Sequence, residues 1–393
     1  GNIMKKILCT FLLLLFILTS CNSLYMSNGS AEIDNSAETS DNLTTAPGET
    51  SPVSGETTTQ IKIEFYPNPW TVSAYSTLNE DQKMAYDAIG DALCRALDGS
   101  FSVGETYNLE RRISWYDFML AYKIIAGNYT ALEEILTNFF SRDSLGTQEY
   151  TDGIFFFDDS FVNGFVNEGY PELCKAADGI LNDLTYDGTE SGKAFAIAKW
   201  FVDNVISPSD YKDRSSDSWL VSAAGPILKK EAVCDGYSKA YDFLCKKAGL
   251  ETIYVTSFEQ MHAWNMICID NAWYHIDTTW MSSKDYREFF MMCDKECYME
   301  HGEAEYYYIP GTLENIIPEA THCSSYGCLS FDTADGAFDY LSKNKPPDRT
   351  KFYFSSADEK NKFMTYDKRY IRFSDSYLSV SPFCENILSV SYK

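Results

Sequence analysis

Apolar residues recur along the chain at two spacings, and the switches between them mark out its elements. Met84, Ala88, Leu93 and Leu97 fall on one helical face, which predicts a long amphipathic helix closed at Gly99. Helical spacing returns over Ser114 to Ala126, Ala131 to Phe140, Leu173 to Leu184 and Lys193 to Ile206, where Pro208 stops it. Tyr150 to Val166, with Ile154 to Phe157, reads as strand and turn. Tyr237, Ala240, Tyr241, Leu244 and Ala248 mark a further helix from Asp235, and Gly249 ends it as a C-cap. Three β-rich runs follow: Thr252 to Ser257, Ala263 to Ile269 and Ala272 to Thr278. Tyr286 to Met292 is a strand-like aromatic run. The tail from Gly327 to Lys393 reads as α/β, with a helix near Asp335 to Leu341, a break at Pro346-Pro347, and runs at Lys351 to Phe354, Tyr370 to Phe373 and Ile387 to Tyr392.

The turn between the last two runs of the central stretch fixes a register. Asp270 and Asn271 both tolerate positive φ, so they predict a two-residue hairpin turn. If Ile269 pairs with Ala272, His262 lies opposite Thr279, and Asp277 sits two residues away. Side chains alternate along a strand, so His262 and Asp277 share a face as diagonal neighbours. A three-residue loop would put them on opposite faces. Cys234 falls in the first turn of the preceding helix, where free N–H groups and the helix dipole favour negative charge, and the thiolate is the nucleophilic form. A thiol, an imidazole and a carboxylate that orients the imidazole form the set an acyl-transferring cysteine needs.

Three motifs carry these residues: VCDGYSKAY around Cys234, MHAWN around His262 and WYHIDTTW around Asp277. In order and spacing they resemble the transglutaminase-like, papain-like superfamily as found in secreted bacterial proteins. The likeness extends more weakly to about Gly192 and His301. It implies an α+β fold with a papain-like transglutaminase core, the nucleophile helix packed on an antiparallel sheet. It also implies Cys234 as nucleophile, His262 as general base and then acid, and Asp277 as the orienting carboxylate, with no cofactor and no metal. Tyr237 and Trp264 are expected to wall the site, Gly236 to allow close packing behind the nucleophile, and Asn265 to fix backbone. The papain-type glutamine six residues before the nucleophile is absent, because Leu228 stands there. That leaves the Cys234 N–H as the expected oxyanion donor. Trp200 and Trp219 are expected in the core, Trp273 and Trp280 in the core or the cleft with the core favoured, Cys245 is expected as a core thiol, and His275, His301 and His322 as structural or surface histidines. His275 is expected to face away from His262.

Composition narrows the partners. Of 393 residues, 45% are hydrophobic and 15% aromatic, enough for two or three domains with a sizeable core. Lys and Arg number 32 against 57 Asp and Glu, a net charge of −25, which disfavours nucleic acid and anionic membrane surfaces. Met4-Lys5-Lys6 precedes an apolar run from Ile7 to Leu18, too short to span a bilayer and expected to be a signal peptide over 4–20. Leu18-Thr19-Ser20-Cys21 resembles a bacterial lipobox, which implies lipidation of Cys21 and an extracytoplasmic, lipid-anchored protein. Residues 21–60, without Lys or Arg, are expected to be a disordered spacer. The remaining plan is a mainly helical N-terminal region over 61–175 with a short strand at Ile61 to Phe65, a catalytic core over 176–310, and a C-terminal α/β extension over 311–393. Among the 12 cysteines, Cys293 with Cys297 and Cys323 with Cys328 are candidates for local pairing, although buried thiols are the expectation for most.

The expected function is thiol-dependent acyl transfer on a peptide or protein substrate, with hydrolysis favoured over transfer to an amine. Two alternatives stay open: a cross-linking transglutaminase, and an inactive surface module that binds peptide or glycan.

Overall fold

The computed structural model describes residues 75–147, 149–157, 169–210, 218–257, 260–283, 289–302, 318–322, 324, 326, 328–346, 350–366, 372–373, 376–382 and 386–392. The signal-like run, Cys21, the spacer and the Ile61 to Phe65 strand lie outside these residues, as does Cys323.

Helix α1, Glu80–Leu97, begins at a capping box in which Asn79 and Gln82 exchange side-chain and backbone hydrogen bonds. It buries Ala88, Leu93 and Leu97 of the expected stripe together with Ala85 and Ile89, while Met84 is only half-buried. Strand β1, Thr106–Ser114, runs into α2, Trp115–Ala126, where Ser114 accepts from the Asp117 N–H. After a 3-10 turn at Thr130–Leu132 come α3 (Glu133–Leu136), β2 (Phe139–Arg142) and β3 (Tyr150–Phe156). The three strands form an antiparallel sheet in the order β1-β3-β2. This region is therefore not helical alone. The helix expected over Ala131 to Phe140 stops at Leu136, and Phe139 and Phe140 pair with Phe156 and Phe155. Strand β1 had no expected element because only Leu109 and Ile113 of its nine residues are buried.

Helices α4 (Tyr170–Asp183) and α5 (Glu190–Asn204) lead to α6, Cys234–Lys247. Strands β4 (Glu251–Ser257), β5 (His262–Ile269) and β6 (Ala272–Ile276) make an antiparallel sheet in that order, and α6 packs on β4 and β5. The hairpin has the expected register, Ile269 opposite Ala272, with Asp270 and Asn271 at φ 51° and 63°. Strand β6 ends one residue before Asp277, and Thr278 opens the short helix α7, Thr278–Ser283. Phe289 to Met292 form no strand; Met292 makes an isolated bridge to His275, and α8 follows at Asp294–His301.

A buried polar network ties the N-terminal region to α6. Asp242 accepts from Thr252 (2.7 Å), Thr130 (2.9 Å) and Lys246 (2.8 Å), and Lys246 also donates to the Asn128 carbonyl (2.7 Å). Every charge in it is paired, the condition under which burial of an ion pair is tolerated. One continuous apolar cluster accordingly reaches from Leu78 to Ala320.

The tail has a second, smaller cluster. Its elements are β7 (Leu329–Phe331), α9 (Ala334–Lys343), β8 (Thr350–Phe354), α10 (Ala357–Thr365), β9 (Arg372–Phe373), β10 (Ser376–Pro382) and β11 (Ile387–Tyr392). The sheet order is β7-β8-β11-β10-β9, with only the β7-β8 pair parallel. A buried ion pair, Lys351 to Glu296 at 3.1 Å, joins this tail to α8. The whole is an α+β fold whose centre is a helix on an antiparallel sheet.

Candidate active site

The start of α6 is held by close backbone packing. The Val233 N–H donates to the Leu220 carbonyl at 3.0 Å, which sets the chain direction just before Cys234. A Cβ at Gly236 would stand 2.5 Å from the Leu220 oxygen and 2.9 Å from the Ala232 Cβ, so only glycine permits this approach. Behind the first turn, Asp235 accepts from the Tyr254 hydroxyl, and Asn265 Nδ2 donates to the Ser238 carbonyl at 3.0 Å. Cys234 is thereby placed as the first helical residue, half-buried. Asn265 does fix backbone, the backbone of the nucleophile helix itself.

His262 opens β5 opposite Ser257. Its Nε2 lies 2.8 Å from Asp277 Oδ2, which leaves Nδ1 as the ring nitrogen for its hydrogen bond with Cys234. Burial alone would lower its proton affinity. The charge and hydrogen bond of Asp277, together with the Cys234 contact, outweigh burial and raise the pKa to about 10. At neutral pH the ring is therefore an imidazolium with both nitrogens donating. It stacks against Trp280 (centroids 5.0 Å apart) and Trp264 (6.2 Å).

Asp277 is fully buried, yet both its oxygens are saturated. Oδ1 accepts from the Thr279 and Trp280 N–H groups at 2.9 and 3.0 Å, so the carboxylate caps α7. Oδ2 accepts from His262 and also from His301 Nε2 at 2.9 Å. Burial would raise its pKa, but the two imidazoles hold it well below the usual carboxylate range. The structure thus brings Cys234, His262 and Asp277 together as the hairpin register predicts.

Other expectations need correction. Tyr237 does not wall an open site: it is fully buried, its hydroxyl donates to the Val205 carbonyl at 2.9 Å, and its ring packs near Phe201. Trp264 backs the His262 ring but is likewise fully buried. Trp280, for which the core was favoured over the cleft, is half-buried and stacks on both His262 and His301. His275 does not face away. Two residues before Asp277, it lies on the same side, accepts at Nδ1 from Trp264 Nε1 (2.9 Å) and pairs through Nε2 with Asp294 (2.8 Å). Net burial lowers its pKa. His301, read as structural from the sequence, stands on the carboxylate itself. Only its place at the end of the Asp294–His301 run hinted at that, since the contact spans 24 residues.

His262, Asp277 and His301 present ligand atoms within 4.8 Å of one another, a set able to hold an ion. In the arrangement observed, both imidazole Nε2 atoms are committed to Asp277 Oδ2 instead. None of the eight described cysteines is in a disulfide, and Cys293 and Cys297 are separate buried thiols. Burial raises Cys94, Cys268, Cys293 and Cys328 to about 11, and Cys245 and Cys297 higher still.

Residues 179–278 match the family model described as the Transglutaminase-like superfamily, a span that contains Cys234, His262 and Asp277. The chain is 24% identical over 123 residues to human (Homo sapiens) kyphoscoliosis peptidase, covering 27% of this chain and 18% of that protein. It thus spans about a fifth of the length of that curated relative. Two solved structures are also similar. One, from Cytophaga hutchinsonii and named among cysteine proteases, is 23% identical with TM-score 0.22, covering 28% of this chain and 37% of the other. The second, named as a TGase, is 12% identical with TM-score 0.23, covering 36% and 43%.

Proposed function

We propose that the protein is a thiol-dependent acyltransferase acting on peptide or protein amides, with water as the favoured acceptor. The observation that carries this reading is the His262 ring, held at Nε2 by a buried carboxylate and offered through Nδ1 to a half-buried cysteine at a helix start. In the reaction the Cys234 sulfur, its proton resting on His262 Nδ1, attacks the amide carbon and forms the C–S bond. The carbonyl oxygen becomes an oxyanion, for which the Cys234 N–H, without an intrahelical acceptor at this position, is the nearest backbone donor. The C–N bond then breaks, the departing nitrogen takes the proton from His262, and a thioester remains. His262 next removes a proton from water, whose attack releases the acid and the thiol. An amine in place of water gives a cross-linked product.

Water is favoured as acceptor because a cell-surface location is wet and nothing in the sequence marks an amine pocket. The Lys5-Lys6 start, the apolar run that follows it and Cys21 support an extracytoplasmic, lipid-anchored protein. Among the described residues no helix is long and apolar enough to cross a membrane. The net charge of −25 argues against nucleic acid as a partner. The test is incubation with a glutamine-containing protein and a labelled primary amine. Release of ammonia or new termini without label supports hydrolysis, label incorporation supports cross-linking, and neither product, with Cys234→Ser indistinguishable from the native protein, leaves the binding-module reading standing.

A further inference from the structure

From the geometry around Asp277 we infer that His301 is a positioning residue for the reaction, a second imidazole that fixes the carboxylate on which His262 depends. The inference rests on the acyl-transfer reading of Cys234 and His262, and it concerns a residue outside the stretch that matches the family model.

A carboxylate offers about four lone-pair directions, and Asp277 uses all of them. The two amides on Oδ1 come from the first turn of α7, so they fix one oxygen relative to the end of β6. With His262 as the sole partner of Oδ2, the carboxylate could swing about the Oδ1 contacts and carry the imidazole with it. His301 closes that freedom, because its Nε2–H reaches the same oxygen at 2.9 Å from the opposite helix. A carboxylate only accepts, so the direction of this bond is settled: His301 donates. The ring itself has no room to turn. Its Nδ1 lies 3.2 Å from the Cys297 carbonyl, and its face stacks on Trp280 at 4.0 Å, the same indole that covers His262.

The helix that carries His301 is fastened at both ends to the same edge of the sheet. Asp294, its first residue, pairs with His275 on β6, and His301, its last, pairs with Asp277 just beyond β6. Two contacts two residues apart along the chain, one on β6 and one just past its end, thus set the height and rotation of α8. The Cys293 N–H bond to Glu296 at 3.0 Å and the Lys351 pair hold the same helix from the other side. Such doubly anchored geometry is what holding a catalytic carboxylate within a fraction of an ångström requires.

The charged and titratable groups facing Asp277 are His262 from β5, Cys234 beyond it on α6, and His301 and Cys297 from α8. Replacing His301 removes a donor from the carboxylate and also touches the Cys297 carbonyl and the Trp280 and His262 rings, so two replacements are compared and the effect is read at His262 and Cys234. The experiment is the rate of Cys234 alkylation by iodoacetamide between pH 5 and 10, resolved by peptide mapping, in the full-length native protein, His301→Gln and His301→Phe. No substrate need be known. The native protein is expected to label Cys234 well ahead of the other described cysteines. His301→Phe, which keeps an aromatic ring on Trp280 but no N–H, is expected to slow Cys234 labelling at pH 7 by roughly 10-fold or more, the loss typical of removing a hydrogen-bond partner behind an active histidine group. It is also expected to displace the limb of the profile that belongs to His262 by about half a pH unit or more. His301→Gln, which retains a donor that can reach Oδ2, is expected to keep at least about a third of the native rate and its profile. Thermal melting accompanies each variant. A native rate and profile in His301→Phe overturns the inference, as does an equal loss in both variants with the profile unmoved, which marks a packing role. If the native protein itself labels Cys234 no faster than its other cysteines, the acyl-transfer reading fails, and the inference falls with it by a different result.

Discussion

Two histidine–carboxylate pairs sit two strand positions apart on the same side of one hairpin, and they are in opposite charge states. His262 with Asp277 has its pKa raised to about 10, whereas burial lowers that of the fully buried His275 with Asp294, although both Nε2···O distances are 2.8 Å. The pairing alone therefore decides nothing. What differs is the second nitrogen. His275 Nδ1 accepts an N–H from Trp264, a group that can only donate, so protonating that nitrogen would break a buried hydrogen bond. His262 Nδ1 faces a cysteine, and a sulfur can receive the proton's hydrogen bond. The carboxylates differ too: Asp277 is sealed from water and saturated by four donors, while Asp294 is about a quarter exposed. A buried histidine becomes a poised proton carrier when its far nitrogen meets an acceptor and its near carboxylate cannot be diluted by solvent.

Asparagine at each carboxylate gives the largest expected effect. Each Asp277 oxygen receives two N–H donors, so an amide at that position must turn its NH2 toward two of them whichever way it is flipped. Asp277→Asn is expected to lower kcat by roughly 10³-fold or more, as loss of an orienting carboxylate does, and to destabilise the fold by about 3 kcal/mol. Asp294→Asn can keep its oxygen on His275 Nε2, and is expected to stay within about three-fold of native kcat and about 1 kcal/mol of native stability. Steady-state kinetics and urea unfolding of the two variants decide the matter. Similar losses at both positions would break the comparison and make the sites one cooperative network.

How much of this was legible in the sequence follows from the range over which each contact acts. The hairpin register depends on Asp270 and Asn271 and on a period of two, both local, so the meeting of His262 with Asp277 could be reached by counting. Helix α6 was equally local, whereas the glycine requirement at position 236 comes mostly from the Leu220 and Ser222 carbonyls, more than a dozen residues upstream. The mate of Asp277 on α8 was not, because nothing in the spacing of Asp294 to His301 says which strand end its last residue touches. Strand β1 was missed for a related reason: TYNLERRIS carries a run of three charges in its middle, and only two of its side chains, Leu109 and Ile113, are buried. Helix α10 was missed because Lys360 and Phe363 are the only residues it buries, too few to make a stripe. Tyr237 was placed at the site because it lies one turn from Cys234, but a turn of helix carries a side chain to the core side as readily as to the groove.

The opposite charge states also predict opposite slopes of stability with pH. His262 has a folded pKa above its unfolded value near 6.5, so its contribution is full below about pH 6.5 and is lost as pH rises toward about 10. His275 has a folded pKa below its unfolded value, so its contribution is present above about pH 6.5 and is lost as pH falls. Unfolding free energies measured from pH 5 to 10 are expected to show His262→Asn flattening the alkaline side, by on the order of 2 kcal/mol, and His275→Asn flattening the acid side by less. Carboxylates titrate mostly below this window, and the buried cysteines are common to all three proteins, so differences between them isolate the imidazoles. Loss on the same side in both variants would show that the two rings share one charge state.

The smallest expected effect isolates the indole N–H that separates the two pairs. Trp264→Phe keeps a ring against His262 and His301 and removes only the donor to His275 Nδ1. The Nδ1 lone pair is then unpaired in the neutral ring, a cost of about 1 kcal/mol, while protonation no longer breaks a bond. The proton affinity of His275 should rise, and the acid-side loss of stability should move by about half a pH unit, with turnover within about three-fold because the stacking survives. Ring proton shifts of His275 followed by NMR through the same range read the change directly. A His275 titration unmoved by the substitution would mean that burial alone keeps the ring neutral, and the contrast with His262 would then lie wholly in how deeply each carboxylate is sealed.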